Sequence, residues 1–304
     1  MPEHIVRAFY YAAIHLMFAS IVCVAALALT SFPRGSAATK YWIWTATAVN
    51  FFLPVGAILD RLWTAHLSWA RPLGIIGGEI HDIRQNAAVS ALLGVVWLLG
   101  ATLMLARFCL RIRAERRGTR EERPGFVAYG VPVQFTANGH GPEMAGILRP
   151  RISLPEGIGR FLNQAEISAV LIHELTHARR RDNLTRLIYE AGLCVLWFHP
   201  LVWLAGSRLA LYRELSCDER VIQSGHGEDL VSALTKLANR EGVLLLPTTA
   251  SSFLSHRLAR LTAAQPQQTC RAQSTVMTAV FAAVLLAGVF ETVAHTACCF
   301  LGKG

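Results

Sequence analysis

Four stretches of the chain are almost unbroken in apolar residues: 8–32, 41–59, 87–110 and 275–297. A membrane-spanning helix needs about 20 such residues, each rising about 1.5 Å. Each stretch therefore predicts a span. Trp42 and Trp44 open the second and suit a headgroup belt. A long segment of ordinary polarity separates the third from the fourth. The pattern thus predicts three spans (residues 1–110), an inserted water-facing domain (111–274) and a closing span with a short tail (275–304). Competing readings stay open. A signal peptide is one for the first stretch, which follows Arg7 and holds Ala26-Leu27-Ala28, though its apolar core exceeds the usual 7–15 residues or so. Asn50 and Pro54 leave a re-entrant or buried helix open for the second. Glu291 and His295, late in the fourth, suit the membrane interface.

Inside the inserted segment the period changes twice. Phe126-Val127-Ala128-Tyr129 and Val131-Pro132-Val133-Gln134-Phe135 are rich in branched and aromatic residues, and the run 145–154 follows a polar turn, Asn138-Gly139-His140-Gly141; two or three short strands are predicted. Their prolines predict edge positions. After Pro155 the period becomes helical. Asn163 with Glu166 three residues on predicts a capping box, followed by Ile167, Val170, Leu171 and Leu175 at helical spacing. Further helices are predicted at 183–198, at 200–224 with Pro200 in its first turn and Gly225 after its end, at 229–239 and at 253–261.

Composition fits a membrane protein. Hydrophobic residues make up 53% of the 304 and charged ones 16%, against about 25% for soluble domains. The mean hydropathy is +0.38. Such apolar content excludes a disordered chain. The seven cysteines include no CxxC pair, which excludes a thiolate zinc ribbon and a disulfide scaffold. Much of the net charge of +9 is a collar after the third stretch: Arg107, Arg111, Arg113, Arg116, Arg117, Arg120 and Arg123. The positive-inside rule puts that collar, the inserted domain and the link holding Arg34 and Lys40 in the cytoplasm. The N-terminus, the 61–86 loop and the tail then fall outside. Anionic lipid accounts for the collar, and no motif supports nucleic-acid binding.

The chemistry begins at His173-Glu174-Leu175-Thr176-His177. Histidines four apart share a helix face, so both imidazoles can reach one metal ion, and Glu174 can reach water beside it. Zinc lowers the pKa of such water to about 7, and a neighbouring carboxylate can act as the base in peptide hydrolysis. A helix with two exposed histidines is the plainer alternative. A catalytic zinc site needs a third protein ligand. Glu214-Leu215-Ser216-Cys217-Asp218 offers Glu214, with Asp218 one turn on to orient a ligating ring. A solvated charge pair of Glu214 or Asp218 with Arg213 or Arg220 is the alternative there.

Taken together these residues resemble the BlaR/MecR-type antirepressor metallopeptidases, integral-membrane members of the gluzincin group. The resemblance rests on Gly146 through Pro155, on His173 to His177 with Arg180 and Asp182, on Trp197-Phe198-His199-Pro200-Leu201-Val202-Trp203, on Arg213 through Val221 and on Arg257-Leu258-Ala259-Arg260-Leu261. It implies an α-helical membrane protein of four transmembrane helices with an inserted α+β gluzincin-type metallopeptidase domain. It also implies one zinc ion held by His173, His177 and Glu214, Glu174 as catalytic base and Asp218 behind a ligand. The implied function is an endopeptidase at the bacterial inner membrane that cuts a cytoplasmic regulator, such as a transcriptional repressor, or itself, on a signal. The sequence ends at Gly304, soon after the fourth stretch, so the expectation is a chain without the penicillin-binding sensor domain, relying on a separate sensor, the spans or the outer loop. A silent signalling scaffold, a site-2-type intramembrane protease and a prenyl-protein protease are the competing readings.

The remaining expectations are smaller. His199 is expected at a helix junction, with Trp197 and Trp203 packing against spans or lipid. His226 is a surface histidine or an oxyanion donor. Cys217 is expected as a small buried hydrophobe on another face than Glu214 and Asp218. Cys298 and Cys299 are expected at the outer membrane edge. The strand within 146–154 is a candidate edge for an extended substrate. Ser251-Ser252-Phe253, in a linker led by Pro247, is a candidate self-cleavage site.

Overall fold

The computed structural model describes residues 3–32, 35–53, 87–118, 122–137, 141–240, 249–263 and 273–287. Three helices come first: α1 (Glu3–Ser31), α2 (Ala37–Phe52) and α3 (Ala87–Gly118). Four short strands follow: β1 (Glu122–Ala128), β2 (Val131–Thr136), β3 (Glu143–Ala145) and β4 (Arg151–Pro155). The rest is helical: α4 (Gln164–Arg180), α5 (Asp182–Val195), α6 (Pro200–Gln223), α7 (Gly227–Arg240), α8 (Thr249–Ala263) and α9 (Gln273–Ala287).

Ala12–Ser31 in α1 and Ala91–Ala114 in α3 are long and apolar enough to cross a membrane. On α3, Leu92, Leu98, Leu103 and Leu110 all point outward, Leu103 with 70% of its surface bare. Apolar surface left in water forgoes about 25 cal/mol per Å², whereas lipid tails solvate it. The expected second and fourth spans are apolar helices over Ala37–Phe52 and Gln273–Ala287. The remainders of those stretches lie outside the described residues, as do the 61–86 loop, the 138–140 turn, Glu291, His295, Cys298 and Cys299.

α1 is built into a core. Ala19, Val22, Cys23 and Ala26 form a mostly small-residue stripe, packed with Tyr41, Trp44, Ala48 and Phe51 of α2 and Val202, Ala205, Leu209 and Tyr212 of α6. The C-terminal carbonyls of a helix need donors from outside it. Here Lys40 Nζ donates to the Thr30 carbonyl at 3.0 Å and the Phe32 carbonyl at 2.5 Å, and the Tyr212 hydroxyl donates to Thr30 at 3.1 Å. Lys40, at the end of the expected cytoplasmic link, is thus buried.

The sheet has the order β1-β2-β4-β3, with β2 and β4 parallel and the outer pairs antiparallel. Two expectations are corrected. The run 145–154 is split, because Gly146 (φ +81°) opens a turn in which any Cβ would strike the Arg149 carbonyl. The strand it yields, β4, lies inside the sheet and cannot be the substrate edge; β3 and β1 are the edges. Pro132 sits on the inner strand β2, yet costs little there, since the ladder to β4 begins only at Val133. The inner face of the sheet, with Val133, Ile152 and Leu154, packs on Val170 and Leu175 of α4.

α4 starts with the expected capping box: the Glu166 amide donates to Asn163 Oδ1 and the Asn163 amide to Glu166 Oε2. Glu166 also accepts from Ser232 Oγ and Lys236 Nζ, both at 2.6 Å, which fastens α4 to α7. Those donors hold its carboxyl down at about 2. A depressed carboxyl pKa stabilises the fold above its unfolded value of about 4.3 and loses that contribution as pH falls towards the folded value. Glu166→Ala is expected to destabilise the fold by about 1–3 kcal/mol at neutral pH. In thermal melts the gap from wild type should shrink between pH 4.5 and pH 2.5 or so.

Candidate metal centre

Leu175 aside, which packs on the sheet, the buried positions of α4 run Glu166, Ala169, Val170, His173, Glu174, His177, Ala178. This is one helical face, and the two histidines continue its apolar stripe. α6 faces α4 with a second stripe, Glu214, Cys217, Asp218 and Val221, offset from the one it turns to α1 and α2. The pairing of α4 with α6 brings the two motifs together.

The Nε2 atoms of His173 and His177 lie 3.2 Å apart. Glu214 Oε2 is 3.4 Å from the first and Oε1 3.7 Å from the second. Bonds of 2.0–2.1 Å in a tetrahedral zinc site separate its ligands by about 3.3 Å, so this donor set fits the ion. A carboxylate lies behind each outer nitrogen, hydrogen-bonded in the case of His177. Asp218 Oδ1 is 3.0 Å from His173 Nδ1, and His177 Nδ1 donates to Asp182 Oδ2 at 2.7 Å. Carboxylates in those positions turn the rings so that Nε2 faces a metal.

Charge supports the same fit. The carboxyls of Glu174, Asp182, Glu214 and Asp218 face the guanidiniums of Arg180 and Arg257, with Arg213 at the rim. The centre is short of positive charge. Burial opposes a charge on His173, yet the Asp218 and Glu214 carboxylates hold its pKa up at about 9. Burial opposes ionisation of Glu214 as well, and the His177 charge with contacts from both rings overrides it, holding the carboxyl well below its usual range. Glu174 is buried, and that burial pushes its pKa up against the pull of both histidines.

Asp182 and Arg257 are the residues at this centre that periodicity misses. Asp182 lies five positions past His177, off any shared helical face. Arg181, at φ +56°, caps α4 in the left-handed region and turns the chain so that Asp182 comes back under the ring. Arg257 arrives from α8. It grips Asp218 with Nη2 at 2.7 Å and Nε at 2.9 Å, and its Nη1 lies 3.5 Å from Glu214 Oε2.

The other candidates fall as follows. Cys217 is buried but not among apolar groups: its Sγ is 3.6 Å from His177 Nδ1 and accepts from Arg180 Nη2 at 3.1 Å. With His173 and His177 it also forms a cluster able to hold an ion. His226 is 2.9 Å from Asp229, at the start of α7. His199 precedes α6 as expected and meets Ser20 Oγ at 3.3 Å. Trp203 Nε1 donates to the Trp197 carbonyl, and Trp197 Nε1 to the Trp97 carbonyl of α3. Ser251 to Phe253 are not in a linker; the backbone is helical from Thr249.

A protein-family model described as BlaR1 peptidase M56 matches residues 10–261. The regulatory protein BlaR1 of Bacillus licheniformis is 30% identical over 158 residues, 48% of this chain and 26% of that protein. The methicillin resistance mecR1 protein of Staphylococcus aureus is 20% identical over 154 residues, 46% of this chain and 26% of that protein. The match thus spans about a quarter of the length of these curated relatives.

Proposed function

The chain belongs to the BlaR1 peptidase M56 family, and on that premise we propose that it is a zinc-dependent membrane endopeptidase of signal transduction. It cuts a cytoplasmic regulator of repressor type, or itself. The observation that carries this reading is the convergence of His173 Nε2, His177 Nε2 and the Glu214 carboxylate, with a carboxylate behind each ring.

In this reading His173, His177 and Glu214 bind one zinc ion, and Asp218 and Asp182 orient the rings. Zinc there would polarise the scissile carbonyl and lower the pKa of water at the site to about 7. Glu174 takes the proton from the attacking water and hands it to the departing amine. Its burial, which pushes the carboxyl pKa up, favours its taking that proton. The extended substrate pairs with the edge strand β3, which packs against α4. Self-cleavage at Ser252–Phe253 requires the start of α8 to unwind first.

Four spans, with the arginine collar of α3 in the cytoplasm, place this centre just under the inner leaflet. The intact base and ligand set disfavours a silent scaffold.

Metal analysis of the full chain in detergent should give one zinc per chain. A chelator should abolish proteolysis and added zinc restore it. Mass spectrometry of peptides made in cells by wild type and not by Glu174→Ala identifies the substrate. Full proteolysis by metal-free protein would overturn the reading.

A further inference from the structure

Asp182 lies where three helices meet. Its side chain is buried, and two of its three donors use the same oxygen: Oδ2 accepts from His177 Nδ1 at 2.7 Å and from Arg180 Nη2 at 2.6 Å. Oδ1 accepts from the Tyr41 hydroxyl at 3.1 Å. Tyr41 is not part of the peptidase motifs. It stands in α2, 141 residues away in sequence, with 1% of its surface exposed, in the core that α2 shares with α1 and α6. The Arg180 guanidinium lies 4.3 Å from the centre of its ring, close enough for a cation–π contact. The same guanidinium donates to Ser216 Oγ and to the Arg213 carbonyl on α6. One buried joint therefore links α2, α4, α5 and α6 directly behind a proposed metal ligand.

We propose that Tyr41 is a positioning residue for the metal centre: its hydroxyl fixes the Asp182 carboxylate against His177, so that the metal affinity of the site depends on where α2 sits. A carboxylate can turn about its last bond. With Oδ1 held by Tyr41, Oδ2 stays in line with His177 Nδ1, and the ring keeps Nε2 towards His173 and Glu214. If α2 moves relative to α6, Oδ1 loses its donor, the Asp182 carboxylate is freer to turn, and the His177 ring is held less firmly at its angle. The inference rests on the metal reading above and adds a physical path by which a helix packed on a candidate span adjusts that site.

The test uses the full chain in detergent, with cobalt(II) and zinc as probes and a competing chelator to measure affinity. Asp182→Asn is expected to weaken binding by about 10–100-fold, the range for partners of ligating histidines. Tyr41→Phe keeps the ring over Arg180 and the packing of α2, and is expected to weaken binding by about 3–10-fold, being one bond further out. The cobalt absorption bands should shift in the same direction in both variants. In the Asp182→Asn background, Tyr41→Phe should cost nothing further. Trp44→Phe, in the same core but bonded to Thr30, should lower the melting temperature and leave affinity unchanged. Wild-type affinity in Tyr41→Phe, or independent losses that multiply in the double variant, would overturn the inference and leave the metal reading standing. Failure of wild type to bind either ion would overturn both.

Discussion

Replacing Glu174 by alanine is expected to leave one zinc per chain in place and to cut peptide hydrolysis by about 10²–10⁴-fold, the usual contribution of a positioned acid–base group. The division follows from geometry. Glu174 is next to His173 in sequence and shares the buried face of α4, but the converging donors are His173, His177 and Glu214. Removing it should therefore spare the metal. Its burial sharpens the effect. A carboxyl with a raised pKa gains more by taking a proton than an exposed one does, so no solvent carboxylate or water replaces it at equal efficiency. The measurement is a turnover assay beside metal analysis on the same preparation. A variant that loses its zinc would show Glu174 to be a ligand, and one that cuts as fast as wild type would remove the base from the mechanism.

The second large effect separates two ligand sets. His173 and His177 can be completed by Glu214 or by Cys217, since both lie close. The ring nitrogens decide between them. Cys217 Sγ faces His177 Nδ1, and that atom is already committed to Asp182 at 2.7 Å. Glu214 faces both Nε2 atoms. Glu214→Ala is therefore expected to lower zinc affinity by more than about 100-fold, beyond what losing a mere partner of a ligand costs. Cys217→Ala should bind zinc within a few-fold of wild type. Cobalt-substituted wild type should lack a thiolate charge-transfer band. The opposite pair of results would exchange Cys217 for Glu214 as third ligand.

The amino-acid pattern foretells the elements that carry local signals. Asn163 and Glu166 announce the start of α4, Pro200 and Gly225 bracket α6, and histidines four apart must share a face. It fails where the deciding contact is tertiary. Asp182 stands in a recognisable stretch, but its place under His177 depends on a left-handed Arg181, a conformation that arginine rarely adopts and that no spacing rule anticipates. Arg257 reaches Asp218 from a helix of its own, so only the packed structure pairs them. The strand run 145–154 misleads because its apolar residues on both sides of Arg149-Pro150-Arg151 hide the turn that Gly146 opens. Lys40 counts in the sequence only as a charge in a cytoplasmic link, yet its ammonium caps the end of α1 from inside the core.

α6 has one further consequence. Its first half is greased for α1 and α2 through Val202, Ala205, Leu209 and Tyr212, while its second half supplies Glu214 and Asp218. Excising the water-facing portion at residue 111 would strip that oily flank bare, at about 25 cal/mol for each Å² of apolar surface uncovered. The scissors cannot be taken off their handle: a trimmed chain would clump through the very helix that carries Glu214.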